Sequence, residues 1–164
     1  MEQADTPCER RRHCRCLIIG AGPSGLACGI YFSRFNCETV VIALEDQRVR
    51  WIDRTWNVPG FPDGIRGEEL IERCKEQARR YGATLVHGEV ESVAGQQGCF
   101  RARLTDGREV EGCNVVFATG VKDIPPSFPN SYKYLGRGLR HCPVCDGHEV
   151  NGKRLAIFGT GDEV

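Results

Sequence analysis

The chain has 164 residues, and its 22 lysines and arginines balance 22 aspartates and glutamates, so the formal net charge at pH 7 is zero. This balance argues against nucleic acid or an anionic membrane as a partner. The apolar stretches are far shorter than the ~20 residues that cross a bilayer, and the N-terminus has no apolar signal core. We therefore expect a cytoplasmic protein with one domain and a remnant of another.

Ten cysteines are many for a chain of this length and would fit a secreted disulfide scaffold. Most of them, however, lie in apolar, periodic segments, where a cysteine serves as a small core residue. We predict buried thiols at Cys28, Cys37, Cys74, Cys99 and Cys113. Cys8, Cys14 and Cys16 lie in a basic opening segment that we interpret as a solvated lead-in. A metal site there is a weaker alternative, because no second ligand pair follows at a recognisable spacing.

The first predicted unit is a strand, a glycine turn, a helix and a second strand. A short apolar run at residues 17–19 ends in the turn GAGPSG, and apolar residues then recur at helical spacing over residues 26–35. A β-branched strand follows at residues 39–44 and ends at Glu45 and Asp46. This order predicts one βαβ unit.

An irregular loop and an amphipathic helix come next. Prolines and glycines in residues 51–65 exclude regular structure there. A helix is predicted over residues 68–81, with an apolar stripe on one face and charges on the others. Gly82 is the natural end of this helix.

The periodicity then changes from helical to alternating. Over residues 84–118 apolar and charged side chains alternate, and a turn at residues 105–107 favours a small antiparallel meander. The chain returns through a buried strand that ends in FATG. A proline-rich crossing at residues 125–131 then leads to a second lobe, where residues 155–161 begin a new strand and glycine turn.

The first glycine turn is the first motif that carries chemistry. In the spacing of Gly20, Gly22 and Gly25, one glycine permits the turn, the next lets backbone approach a pyrophosphate, and the third allows close helix packing. Phosphate would lie at the helix N-terminus, where unpaired N–H groups and the helix dipole favour negative charge. A glycine turn alone can be purely structural. Here a strand precedes it, a helix follows, and Glu45 or Asp46 comes about 20 residues later, where a carboxylate binds ribose hydroxyls, so the pattern predicts dinucleotide binding.

The second informative motif is HCPVCDG. Cys142 and Cys145 have the spacing of a reversible disulfide pair. A zinc knuckle would need a second ligand pair, and plain buried cysteines are the remaining alternative. Asp146 could relay a proton to a leaving thiolate or simply cap a turn. His141 and His148 could tune a thiolate or be merely exposed.

Several motifs follow one another in a distinctive order. They are GAGPSG, NVPGFP, GEEL with EQARRYGA, FATG, GRGLRHCPVCDG and the strand before GTGDEV. In this order they resemble the low-molecular-weight thioredoxin reductase family of FAD-dependent pyridine nucleotide-disulfide oxidoreductases. The resemblance covers almost everything from residue 17 to residue 164.

The resemblance implies an α/β fold: a three-layer, Rossmann-like FAD/NAD(P)-binding domain with a parallel sheet and a small antiparallel β-meander, plus the start of a second nucleotide-binding lobe. The implied division is a flexible basic segment at residues 1–15, the N-terminal part of an FAD-binding domain at residues 16–122, and the start of an NAD(P)H-binding lobe at residues 123–164. The lobe carries the CxxC motif and is truncated.

The resemblance also implies two cofactor sites. FAD would be bound by the glycine turn, a ribose-binding carboxylate, the NVPGFP loop and the FATG strand end, which supply Gly20, Gly22, Pro23, Ser24, Gly25, Glu45 or Asp46, Asn57, Thr119 and Gly120. NADPH would be bound by a second glycine turn that includes Gly159 and Gly161, a site that is incomplete in this chain.

The implied activity is that of a flavin-dependent disulfide oxidoreductase. Electrons would pass from NADPH through FAD to the Cys142/Cys145 disulfide, and on to a thioredoxin-like protein or a small disulfide or dithiol substrate. Cys145 would face the flavin, Cys142 would attack the partner disulfide, and Asp146 would be the acid. The full-length form would be a homodimer. Two alternatives stay open: a dithiol oxidase that uses FAD and oxygen, and a non-catalytic FAD-binding fragment.

Overall fold

The computed structural model of the protein describes residues 15–45, 47–124, 126–136 and 138–158, apart from the side chain of Val144. The strands are β1 Cys16–Ile19, β2 Thr39–Ala43, β3 Thr84–His87, β4 Val90–Gln96, β5 Cys99–Leu104, β6 Glu109–Gly112 and β7 Asn114–Phe117. The α-helices are α1 Pro23–Arg34, α2 Gly67–Arg80 and α3 Pro143–Asp146. Short 3₁₀ helices lie at Arg48–Trp51, Ser131–Tyr134 and His148–Val150.

Four strands form a parallel sheet in the order β3-β2-β1-β7. Cys16 of β1 lies opposite Thr39 of β2 on one side and Asn114 of β7 on the other. β2 consists largely of β-branched residues, which suit a strand that is covered on both faces. The predicted βαβ unit of β1, α1 and β2 is confirmed.

The assignment of residues 84–87 to an antiparallel meander is wrong. This segment is β3, which pairs in parallel with β2 and places Val41 opposite Leu85. The connection explains the difference, because α2 lies between β2 and β3 and a helical crossover returns the chain in the same direction. The meander consists instead of β4, β5 and β6, which pair antiparallel.

The protein has three layers, with the parallel sheet between the two long helices and the meander. Successive side chains of β1 point to opposite faces of the sheet, so Leu17 and Ile18 enter different cores. The core on the helix side includes Ile18, Leu26, Ile71 and Ala78, and the core on the meander side consists of Leu17, Val40, Ile42, Ala102 and Leu104. This arrangement confirms the predicted three-layer α/β fold.

α2 buries one face and exposes the other. Leu70, Ile71 and Ala78 are buried, as the apolar stripe predicts, whereas Cys74 is half-buried. Gly82 follows the helix with φ +94°, which is the left-handed conformation that commonly ends a helix. Neither α2 nor any other helix in the described residues is long and apolar enough to cross a membrane.

Four of the five predicted buried thiols are less deeply buried than expected. Cys113 is buried, but Cys28, Cys37, Cys74 and Cys99 are half-buried. Burial raises the pKa of the Cys28 and Cys74 thiols, because a thiolate loses solvation there.

The interpretation of Cys16 as part of a solvated lead-in is wrong. Cys16 lies in β1 and is 2% exposed, and its N–H donates to the Glu38 carbonyl at 2.8 Å. The strand therefore begins one residue before the apolar run. Cys8 and Cys14 lie outside the described residues. Within the residues that are described, no group of three or more His, Cys, Asp and Glu side chains could hold a metal ion.

Residues 154–158 do not form the strand predicted at the start of a second lobe. Leu155, Ile157 and Phe158 are 61%, 64% and 73% exposed. A strand needs a neighbour for its backbone hydrogen bonds, and no strand in the described part of the chain pairs with this segment. The apolar pattern alone is therefore insufficient to make a strand here.

Candidate functional site

Three segments predicted to bind a nucleotide follow three neighbouring strands of the parallel sheet. The glycine turn follows β1, Glu45 follows β2, and Thr119 with Gly120 follows β7. The sheet pattern continues into the turn, because the Gly20 N–H donates to the Ile42 carbonyl at 2.8 Å. Since the carboxyl ends of parallel strands share one edge, the fold gathers these segments where open α/β sheets bind their ligands.

The ribose-binding candidates lie just beyond β2. Glu45 is exposed two residues after Ala43, and its carbonyl accepts a hydrogen bond from the Gln47 N–H at 3.0 Å. The other candidate, Asp46, lies outside the described residues. Within the described residues, Glu45 is thus a carboxylate at this edge of the sheet.

Close backbone contacts shape the glycine turn. Gly20 has φ +110°, which side chains rarely tolerate, and a Cβ there would lie 2.1 Å from the Ala118 carbonyl oxygen. A Cβ on Gly25 would lie 1.9 Å from the Gly20 carbonyl oxygen. Gly22 differs, because nothing lies within 4 Å of its Cβ position. The turn is closed at Gly20 and Gly25 and open at Gly22.

α1 begins directly after this turn without a side-chain cap. Gly22 is the N-cap residue and Pro23 occupies the first helical position. Pro23 and Ser24 are both exposed. The first N–H groups of a helix lack partners within the helix and carry the positive end of its dipole. An uncapped helix end behind an open glycine therefore fits the pyrophosphate of a dinucleotide.

The loop that contains Asn57 is fixed by its own hydrogen bonds. Thr55 and Ile65 exchange two backbone hydrogen bonds of 2.9 Å, which close the loop at its base. The Thr55 hydroxyl donates to the Asn57 side-chain oxygen at 2.6 Å. Val58 and Phe61 pack against the helix-side core, and the loop lines an open pocket. Asn57 is thus held on a loop of defined shape.

The CxxC motif forms a disulfide. Cys142 and Cys145 are bonded with their Cα atoms 5.2 Å apart. Cys142 is the N-cap residue of α3, and its sulfur accepts a hydrogen bond from the Cys145 N–H at 3.1 Å. An N–H that points at this sulfur would also stabilise a thiolate after reduction. Cys145 is exposed and Cys142 is half-buried, so at least one sulfur of the pair borders solvent.

Asp146, the predicted acid, has an arginine partner that the sequence did not indicate. Arg140 Nη1 lies 3.3 Å from Asp146 Oδ1, and both side chains are partly buried. The arginine fixes the position of the carboxylate beside the disulfide.

A three-residue cluster attaches the residues around Cys142 and Cys145 to the rest of the protein. Asp123 forms an ion pair with Arg48, and its Oδ2 atom lies 3.4 Å from His141 Nδ1. His141 directly precedes Cys142, and its Nε2 atom is buried without a hydrogen-bond partner among the described atoms. Sequence reasoning missed Arg48 and Asp123 because they lie 75 residues apart and belong to no motif.

A glycine contact completes this attachment. A Cβ on Gly136 would lie 1.9 Å from the Trp51 carbonyl oxygen, so the segment before the CxxC motif lies directly on the 3₁₀ helix Arg48–Trp51. This contact and the Arg48–Asp123 ion pair both involve residues of this 3₁₀ helix. Gly159 and Gly161, predicted for a second nucleotide site, lie outside the described residues.

The fold and the site together define a class of protein. A parallel α/β sheet with a glycine turn at its carboxyl edge is a nucleotide-binding architecture, and the CxxC disulfide adds thiol–disulfide chemistry. The class is that of the nucleotide-dependent disulfide oxidoreductases. The chain belongs to the pyridine nucleotide-disulphide oxidoreductase family, whose profile matches residues 14–162.

Individual relatives agree with this family. The chain is 34% identical to NADPH-dependent thioredoxin reductase 3 of Arabidopsis thaliana over 154 residues, which cover 89% of this chain and 29% of the relative. It is 32% identical to thioredoxin reductase of Aquifex aeolicus over 148 residues, which cover 89% of this chain and 46% of the relative. The chain thus spans less than half the length of these relatives.

Solved structures show the same relationship. The structure of thioredoxin reductase from Giardia duodenalis matches with a TM-score of 0.75 at 30% identity, covering 84% of this chain and 45% of that one. Thioredoxin reductase from Streptococcus pyogenes matches with a TM-score of 0.76 at 28% identity, covering 80% of this chain and 43% of that one. The match again covers less than half of each solved chain.

Proposed function

We propose that the chain is the flavin-binding and redox-disulfide part of a thioredoxin-reductase-like enzyme. Electrons pass from NADPH through FAD to the Cys142–Cys145 disulfide, and on to a disulfide of a thioredoxin-like protein or a small molecule. The observation that carries the proposal is a CxxC disulfide on the same chain as an uncapped helix behind a glycine turn. The relatives named as thioredoxin reductases support this direction of electron flow.

In this proposal FAD lies at the carboxyl edge of the parallel sheet. The N–H groups at the start of α1 bind its pyrophosphate. Glu45 or Asp46 accepts hydrogen bonds from the ribose hydroxyls, and Asn57 with Thr119 and Gly120 borders the flavin. The turn around the pyrophosphate consists of Gly20, Gly22, Pro23, Ser24 and Gly25. When bound, FAD supplies two-electron exchange between a nicotinamide and a disulfide.

The two cysteines have different roles in this reaction. Reduction adds two electrons and two protons to the disulfide and gives two thiols. Cys142 gives its proton to Asp146, and the resulting thiolate attacks the partner disulfide, forms a mixed disulfide and releases one partner thiolate, which takes that proton from Asp146. Cys145, which we assign to the flavin side, then attacks the Cys142 sulfur. This second step releases the other partner thiol and restores the disulfide.

The proposed division places the FAD-binding domain at residues 16–122 and the start of an NADPH-binding lobe at residues 123–164, after a basic segment at residues 1–15. Gly159 and Gly161 would belong to the NADPH site, together with residues of the longer protein. The proline-containing crossing after residue 124 supports this boundary. We place the full-length protein in the cytoplasm as a homodimer.

The test uses the full-length protein. We expect flavin absorbance after purification and NADPH consumption that matches the reduction of a thioredoxin disulfide. Cys142→Ser and Cys145→Ser should abolish disulfide reduction and keep the flavin, whereas Cys37→Ser, outside the site, should change neither.

Other results would contradict specific parts of the proposal. A colourless full-length protein would overturn the flavin site. Oxygen consumption driven by a small dithiol, with no NADPH consumption, would replace the reductase with a dithiol oxidase. Flavin binding without either reaction would indicate a non-catalytic FAD-binding protein.

A further inference from the structure

Thr55 lies at the fixed base of the loop that carries Asn57. Its backbone exchanges two hydrogen bonds of 2.9 Å with Ile65, which is 3% exposed and packs in the helix-side core. Arg54 closes the same base, because its Nη1 atom donates to the Asp63 carbonyl at 2.8 Å. The backbone of Thr55 therefore has a defined position relative to the core.

The Thr55 side chain holds one end of the Asn57 amide. The Thr55 hydroxyl donates to Asn57 Oδ1 at 2.6 Å, a distance typical of an O–H···O hydrogen bond. An asparagine amide has an acceptor oxygen at one end and an NH₂ donor at the other. Because the oxygen is bound to Thr55, the NH₂ group is the end that is left for a further partner. Within the described ranges, the structure gives this NH₂ group no hydrogen-bond partner.

Asn57 borders an open pocket, and Thr55 does not. Asn57 is exposed and lines a pocket of about 400 Å³ with its neighbours on the loop, residues 56 and 58–62. Thr55 is half-buried and is not among the residues that line this pocket. Thr55 therefore acts on a group in the pocket through the Asn57 amide and not by direct contact.

A hydrogen-bond donor at this position suits a flavin ring. The pyrimidine part of the flavin carries carbonyl oxygens, which accept hydrogen bonds, and reduction adds negative charge to the same part. A donor that faces these oxygens stabilises the reduced form and raises the reduction potential. An amide oxygen turned the same way would repel that charge and lower the potential.

We propose that Thr55 is a positioning residue, whose hydroxyl orients the Asn57 amide so that the NH₂ group faces the flavin. This inference rests on the proposed FAD site and assigns a role within it. Without the hydroxyl, the amide presents its oxygen to the flavin in a part of the molecules. Loss of the hydroxyl therefore weakens FAD binding and lowers the reduction potential of the bound flavin.

The test measures FAD affinity and the flavin reduction potential in the full-length protein. Thr55→Val removes the hydroxyl and keeps the shape of the side chain. We expect FAD to bind about two- to tenfold more weakly, as for the loss of up to one hydrogen bond, and the potential to become more negative. Thr55→Ser keeps a hydroxyl and should retain most of both. Thr105→Val, in the exposed turn after β5, is the matched control and should change neither.

Variants of Asn57 separate an orienting role from a purely structural one. Asn57→Ala has no amide to orient, so adding Thr55→Val to it should change neither the affinity nor the potential further. Asn57→Asp keeps the shape of the side chain and replaces the NH₂ group with oxygen. It should bind FAD more weakly and lower the potential, a result that does not depend on the folding of Thr55→Val.

Each contrary result has a specific meaning. Unchanged affinity and potential in Thr55→Val would overturn the positioning role and leave the FAD site in place. The same holds if Thr55→Val has its full effect in the Asn57→Ala protein, or if Asn57→Asp keeps the original potential. A colourless unsubstituted protein would overturn the FAD site and the positioning role together.

Discussion

At the scale of single residues, Gly22 and Gly25 lie in one turn but have different surroundings. A methyl group on Gly25 would lie 1.9 Å from the Gly20 carbonyl oxygen, whereas nothing lies within 4 Å of the same position on Gly22. We expect Gly25→Ala to lower the free energy of unfolding by about 2 kcal/mol or more. Gly22→Ala should cost less than about 1 kcal/mol, because it only weakens an N-cap position.

The same two variants separate folding from cofactor binding. Gly22→Ala should bind FAD much more weakly than the unsubstituted protein, since its methyl group fills the space through which backbone would approach the pyrophosphate. Denaturant unfolding of the flavin-free protein measures the first effect, and titration with FAD measures the second. Equal FAD affinity for Gly22→Ala and the unsubstituted protein would contradict the placement of the FAD pyrophosphate at this turn.

At the scale of elements, Arg50 ties the 3₁₀ helix Arg48–Trp51 to α2 through an ion pair with Glu72. Burial raises the pKa of Glu72, but hydrogen bonds and charges from Lys75 and Arg50 outweigh it, so the pKa falls below its ordinary value of 4.5. The pair therefore stabilises the folded state above pH 4.5. This contribution is lost as the pH falls through the lowered pKa.

Glu72→Gln should lower the free energy of unfolding at pH 7 by roughly 0.2–1 kcal/mol, because the pair is half exposed. Denaturant unfolding of both proteins between pH 7 and pH 2 should show this difference shrinking toward zero at the acid end. Glu76→Gln is the matched control, since Glu76 pairs with Arg80 on the exposed face of α2 and the described residues show no ion pair from it to another element. A difference that stays constant across the pH range would show that the effect of Glu72 is not electrostatic.

Elements whose pattern is local were predictable from the sequence. The sequence predicts α2 within one residue at each end, because its apolar stripe and the glycine that follows it are local signals. The sequence pattern assigns β3 to the wrong sheet, because the direction of a strand depends on the connection that precedes it. Residues 154–158 have the apolar pattern of a strand and form none, because a strand also needs a partner.

In the candidate site, too, only the local motifs are predictable from the sequence. The glycine turn and the CxxC pair are short motifs that residue spacing identifies. The structure shows close backbone contacts at Gly20 and Gly25 of the turn and a disulfide between the two cysteines. The cluster of Arg48, Asp123 and His141 was not predictable, because ordinary residue types meet there only after the chain has folded. Contacts of this kind carry no local signal.

At the scale of the whole molecule, β7 and the residues after it carry much of the exposed apolar surface. Within the described residues β7 is the last strand on its side of the parallel sheet. Phe117 is 66% exposed, and Ile124, a few residues further, is 88% exposed. An open strand edge beside exposed apolar side chains promotes association.

We therefore expect the 164-residue chain, expressed alone, to self-associate as its concentration rises, and Phe117→Lys and Ile124→Lys to weaken that association. A lysine adds charge and removes apolar area at the edge, and neither side chain lies in the buried core. Tyr31→Lys on α1 is the control, because Tyr31 is 63% exposed but lies away from β7. Sedimentation velocity over a concentration series measures the association. An equal loss of association in Tyr31→Lys would show that the association does not depend specifically on β7 and the residues after it.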